Sequence, residues 1–93
     1  MFHYVISYDQ HRDRDYTPIW TQLRQWGAAR ILESVWFASL PWPAGQVRET
    51  LRQVTRDEDG LMVLTLSPQT DWATYNGQAA GVNWLTQNIR RYQ

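Results

Sequence analysis

Apolar side chains alternate at the start of the chain. Over residues 2–8, FHYVISY, Phe2, Tyr4, Ile6 and Tyr8 share one side and His3, Val5 and Ser7 the other, which predicts a strand rich in β-branched and aromatic residues. Asp9 ends it, and a polar loop of alternating charge, QHRDRD, follows. From Tyr16 to Trp26 the period changes: Tyr16, Ile19, Trp20, Leu23 and Trp26 form one stripe at helical spacing. Asp15 or Thr17 can cap that helix, Pro18 is tolerated in its first turn, and Gly27 is a good stop. Residues 29–40, ARILESVWFASL, read as extended, either as one long strand or as two joined at Glu33–Ser34. Trp36 and Phe37 are adjacent, so both faces of this segment carry large apolar groups. Pro41 and Pro43 end it. A second helix is predicted from about Ala44 to Val54, with Val47, Leu51 and Val54 inward and Arg48, Glu49 and Arg52 outward. RDEDG is a turn, and LMVLTL, residues 61–66, is a strand apolar on both faces. Residues 67–78 are loop-like. Val82, Leu85, Ile89 and Tyr92 fit a last helix, with Arg90 and Arg91 near the C-terminal end that favours cations.

The resulting order, strand, helix, extended segment, helix, strand and an extra helix, predicts an α+β fold. With a hairpin in the middle it is a βαββαβ, ferredoxin-like sandwich with a C-terminal helix. Two helices cover one face of such a sheet, yet its strands are apolar on both. Either the C-terminal helix or a second subunit must cover the other face. A homodimer is expected, because several large Trp side chains would otherwise be exposed.

Composition narrows the function classes. Ninety-three residues make a single domain, and 43% hydrophobic content is enough for a core. Cysteine is absent, which excludes a disulfide framework, a thiolate zinc site and a cysteine nucleophile. No apolar run is long enough to span a bilayer, so no membrane association is expected. The N-terminal MFHYVISYD lacks a basic and a long apolar region, so a signal peptide is not expected there and a cytoplasmic location is. Nine basic residues balance nine acidic ones, which excludes a globally basic nucleic-acid binder but not a local patch. All the basic residues are Arg, a better fork for phosphate than Lys, although a GC-rich genome gives the same bias.

Asp9 is the main candidate for chemistry. A carboxylate at the end of a strand, beside a loop holding Asp13 and Asp15, suits Mg²⁺, which takes oxygen ligands and retains waters. Such a metal could activate water for phosphodiester cleavage. The plainer role for Asp9 is to cap the turn into the loop. His11 has the chemistry of a general base or phosphate contact, or is simply solvated, and His3 within a strand is structural. Arg12, Arg14 and Arg30 could form a phosphate-binding patch near Asp9, or pair with Asp13 and Asp15. Trp36 and Phe37 could stack on bases, or pack in a core or a dimer interface. No phosphate-binding glycine loop, dinucleotide fingerprint or nucleophile elbow is present.

Together YVISYD, the helix ending at Gly27, and ARILESVW resemble the small CRISPR-associated proteins of spacer acquisition, Cas-two, and their VapD and SinR-like relatives. Their pattern is a strand ending in Tyr-Asp, a helix, Gly, then a strand reading Arg-hydrophobic-x-x-Ser-Val-aromatic. Here it falls on Tyr8, Asp9, Gly27, Arg30, Ile31, Ser34, Val35 and Trp36. The match covers residues 1 to about 66, which makes 67–93 a C-terminal extension. The resemblance implies a ferredoxin-like fold, a hairpin turn near Glu33–Ser34, and a homodimer whose sheets face each other. It also implies that two copies of Asp9 bind one divalent metal near the dimer axis, Mg²⁺ or alternatively Mn²⁺, and that some members cleave RNA or DNA. Carried over, Asp9 is the metal-binding and catalytic carboxylate, Tyr8 its neighbour and Arg30 a phosphate contact. Arg12 or Arg14 stands for the loop arginine, and Trp36 and Phe37 lie at the dimer interface. The family's usual Phe is Trp36 here, the loop QHRDRD differs, and the long tail with Trp84-Leu85 looks closer to the SinR-like branch. The expected function is a nucleic-acid-associated homodimer, a metal-dependent endonuclease acting on RNA or DNA. The alternative is a non-catalytic dimeric scaffold that binds nucleic acid or a protein partner.

Overall fold

The computed structural model describes residues 1–9, 15–56 and 59–89. The first strand, β1 (Phe2–Tyr8), follows the alternation of its sequence: Tyr4, Ile6 and Tyr8 are buried on one side. Helix α1 (Thr17–Gln25) lays its apolar stripe on that side, with Ile19 and Leu23 fully buried and Trp20 and Trp26 packed at the margin. Asp15 holds the helix start by accepting the Thr17 N–H at 2.9 Å, and hydrogen bonds from Thr17 keep its carboxyl below the usual carboxylate range. Gly27 stops the helix in the left-handed conformation, φ +70°, while its N–H bonds to Arg24 O and that of Ala28 to Leu23 O.

The extended segment resolves into two strands, β2 (Ala29–Leu32) and β3 (Val35–Leu40), joined by a turn at Glu33–Ser34. Their register slips between Arg30 and Leu32, a bulge that puts Ile31 and Leu32 out of strict alternation. Helix α2 (Ala44–Arg52) is two residues shorter than its periodicity predicts. Val47 and Leu51 are buried, and Val54 packs from the turn beyond. β4 (Leu61–Leu66) and α3 (Ala79–Asn88) complete the described elements.

The strand order is β2-β3-β1-β4, and every neighbouring pair is antiparallel. β1 and β2 are therefore parallel with β3 between them, and β3 and β4 are parallel with β1 between them. This α+β arrangement is compatible with a ferredoxin-like sandwich. Helices α1 and α2 cover one face of the sheet, where Tyr4, Ile6, Tyr8, Trp36, Ala38 and Leu40 meet Ile19, Leu23, Val47 and Leu51.

The other face is covered in part by the chain itself. Ile31 and Phe37 meet Leu85 and Ile89 of the C-terminal segment, and α3 packs on β2 and β3. Trp84 stacks on Phe37, with ring centroids 5.0 Å apart and planes within 9°, and meets His3 edge-on. His3 also bonds Ser39 Oγ through Nδ1 at 2.8 Å, in keeping with a structural role. Beneath the 70–77 loop and α3 lies an apolar cavity of about 380 Å³, walled by Val5, Val35, Phe37, Leu66, Trp72 and Leu85 among others. Part of β4 stays open on this face: Met62 and Leu64 are each about half exposed. No helix among the described residues is long and apolar enough to cross a membrane.

The close seating of α3 depends on Gly81. A Cβ there would lie 2.6 Å from Ile31 Cα and 2.8 Å from Arg30 O, both backbone atoms that cannot swing aside. Gly81→Ala is expected to lower stability by about 1–3 kcal/mol through overpacking. Intrinsic helix propensity alone predicts a gain of about 1 kcal/mol. The urea midpoint of the two proteins decides between them.

Candidate functional site

The candidate residues gather where β1 ends. Tyr8 is the last residue of the strand and points to the helix-covered face, 4% exposed. Its hydroxyl accepts the indole N–H of Trp20 at 2.6 Å and that of Trp36 at 3.2 Å, and donates to Glu33 O at 3.2 Å. One buried oxygen thus joins β1, α1, β3 and the β2–β3 turn. Tyr16 stacks on Tyr8, Trp20 stacks on Tyr16, and the Tyr16 hydroxyl donates to the Asp9 carbonyl.

Arg30 comes to the same place because it pairs with Trp36 across the β2–β3 ladder. Its guanidinium carbon lies 5.1 Å from the Trp20 ring centroid and 5.5 Å from that of Trp36. Cation–π attraction holds the planar group between them. Nε donates to Glu33 O at 2.9 Å, and Nη2 donates to the same carbonyl. Two N–H groups are therefore spent on the turn, and the remaining ones take no described partner. Arg30 thus sits at the rim of the site, tied to the turn and to the two rings.

Asp9 follows Tyr8 and is exposed. Its backbone N–H donates to Gly60 O, and the Gly60 N–H donates to its Oδ2, both at 3.1 Å. The carboxylate therefore clasps the chain just before β4, which is the turn-holding role weighed from sequence, though its partner is 51 residues away. Gly60 has to be glycine for this approach, since a Cβ would occupy the position of the Asp9 carboxylate. Asp9 lines a shallow hollow of about 200 Å³ with Ser7, Tyr8, Gly60, Leu61 and Met62.

A hard divalent cation asks for several oxygen ligands. Among the described residues no group of three His, Cys, Asp or Glu comes together to hold one. Asp9 has already given Oδ2 to Gly60, leaving Oδ1 without a described donor. Asp9 thus stands without two further such ligands among the described residues of one chain, and these do not of themselves fit a Mg²⁺ or Mn²⁺ centre.

Of the other residues singled out in the sequence, His11, Arg12, Asp13 and Arg14 lie outside the described residues, as do Arg90, Arg91 and Tyr92. Trp36 and Phe37 sit inside one chain at 3% and 8% exposure. Trp36 belongs to the helix-covered core and Phe37 lies under Trp84. Sequence reading did not find Trp20 as the partner of Tyr8 and Arg30, nor Gly60 as the partner of Asp9. Trp20 was visible on the α1 stripe, but its indole N–H had no visible destination.

The two buried tyrosines of β1 give opposite expectations. Tyr4 hydroxyl is buried with no partner among the described residues, and burial pushes its phenol above the ordinary value. Tyr8→Phe orphans two indole N–H groups, at a cost of about 1–3 kcal/mol, with a shift in tryptophan emission. Tyr4→Phe removes an unpaired polar atom and is expected to leave stability equal or raised. Urea unfolding of both variants, followed by fluorescence, checks the contrast.

No protein-family model and no solved structure matches this chain.

Proposed function

We propose that the chain acts as a Cas-two-like, nucleic-acid-associated homodimer. The observation that carries this reading is the built end of β1. Exposed Asp9 follows a Tyr8 whose hydroxyl is locked to Trp20, Trp36 and Glu33, and Arg30 is held by that same Glu33 carbonyl. A preorganised cation is suited to a phosphate, since a guanidinium already ordered loses little freedom on binding. The strand order and the hairpin at Glu33–Ser34 agree with what the resemblance implies for the fold.

In this reading Arg30 positions the phosphate backbone, with Arg12 and Arg14 of the loop as further contacts. The net charge of zero limits the phosphates neutralised, so binding is modest and falls as salt rises. Phosphodiester cleavage is the narrower claim. It draws on Asp9 from two copies together, as the described residues of one chain bring no group of three such ligands together. A non-catalytic scaffold that binds nucleic acid or a protein partner is the second reading, favoured by the commitment of Asp9 Oδ2 to Gly60.

Labelled RNA and DNA incubated with the protein in Mg²⁺, Mn²⁺ or EDTA separate the two. Asp9→Asn keeps an amide oxygen for the Gly60 N–H and so preserves the clasp. For a nuclease, cleavage requires the metal and falls at least about a hundredfold in Asp9→Asn, a magnitude in the range of a lost catalytic group. Binding without cleavage assigns the scaffold role. Arg30→Gln is expected to weaken binding and reduce the salt slope by about one. Absence of binding to any duplex or single strand would sink the nucleic-acid reading and leave a protein partner.

A further inference from the structure

The strap of residues 70–77 crosses one face of the sheet without filling the space beneath it. It hangs from two points: the Trp72 indole N–H donates to Ile89 O at 3.3 Å, and the Gln78 N–H donates to Ile31 O at 2.9 Å. Asn76, at φ +54°, turns the chain between them. Tyr75 lies outward at the rim, 88% exposed. The cavity under the strap, about 380 Å³, is larger than a packing fault. Protein interiors pack at crystal density, with few voids bigger than a water molecule. Its floor tells the same story: Val5 and Val35, on the two inner strands of the sheet, are only half-buried. Water needs several polar partners to settle in a cavity, and these walls are mainly Val, Leu, Ile, Phe and Trp.

Size and charge fix the chemistry of an occupant. An apolar cavity of about 150 Å³ takes benzene, so one of about 380 Å³ takes about fifteen non-hydrogen atoms. Asp71, at the exposed mouth, is the one charged residue among the described residues that line the cavity, and its Oδ1 accepts the Trp72 backbone N–H at 3.0 Å. No described cation lines the cavity to meet an anion. We infer that this cavity binds a neutral, largely apolar small molecule of about fifteen non-hydrogen atoms. Burial of the apolar walls against the ligand supplies the affinity, and the Asp71 carboxylate turns anions away. The site shares no residue with the Tyr8–Arg30 cluster and does not depend on the nucleic-acid reading.

Two dyes of one ring skeleton test this on the whole chain: neutral N-phenyl-naphthylamine and its anionic counterpart, anilinonaphthalene sulfonate. Both brighten in apolar surroundings. The expected result is saturable binding of the neutral dye, one per chain, at least about tenfold tighter than the anion. Val35→Phe and Val5→Phe each put a ring into the cavity. Each is expected to weaken the neutral dye at least about tenfold while the urea midpoint stays equal or rises, as filling a cavity does. Asp71→Asn, at an exposed position, keeps an oxygen for the Trp72 N–H. It is expected to tighten the anion about threefold, the size of one like-charge repulsion in water, and to leave the neutral dye unchanged. No saturable binding of the neutral dye, or an anion bound as tightly by the wild type, overturns the inference. So does binding that survives both ring variants and is lost in Leu64→Lys, which places the dye on the exposed part of β4. A urea midpoint lowered by both ring variants shows a space already packed and overturns it too.

Discussion

A four-stranded sheet that is apolar on both faces has to be covered twice, and this requirement shapes the rest of the molecule. Two crossover helices supply one cover, because βαββαβ connectivity places α1 and α2 on the same side. The chain then continues past β4 and folds α3 back across the sheet over β2 and β3. One short helix is too narrow for four strands. What stays open on this face is Met62 and Leu64 of β4, each about half exposed. What stays open is thus set by where α3 lands, and α3 can land so closely because Gly81 has no side chain to hold it off Ile31.

The end of β1 is organised by a polar constraint inside an apolar core. Burying an indole N–H without a partner is costly, and Trp20 and Trp36 each bring one to the same spot. Tyr8 hydroxyl accepts both and donates its own O–H to Glu33 O. That carbonyl belongs to the β2–β3 turn, and the same oxygen receives Arg30. The guanidinium is in consequence held from three directions, by two rings and a carbonyl. Asp9 is next along the chain and is used in the same spirit, closing the entry to β4 through Gly60. What these structural duties leave over is the remaining N–H groups of Arg30 and Oδ1 of Asp9.

Element positions were legible because they depend on local spacing. The α1 stripe, the Gly27 stop, the alternation of β1 and the apolar run of β4 all require only a few neighbouring residues to be read together. The split of residues 29–40 was not decided by spacing, since adjacent Trp36 and Phe37 satisfy any reading with two apolar faces. Opposite covers resolve them: Trp36 goes under α1 and α2, and Phe37 under Trp84. That is also why neither lies on an outer surface, although two adjacent aromatic residues in a strand suggest one.

From the sequence alone came the α+β class, the order of elements, a sheet with two apolar faces, and Asp9 at the end of the first strand. Periodicity and turn chemistry act over a few residues, so these properties are already present in the linear chain. The tertiary structure alone decided that Tyr8, Trp20, Arg30 and Trp36 share one carbonyl-anchored cluster, and that Asp9 holds Gly60. It alone decided that α3 closes half a face and leaves β4 open. Each of these joins residues from different elements, as Tyr8 with Trp36 and Asp9 with Gly60, and such pairs meet only when strand register and helix placement have been settled by packing.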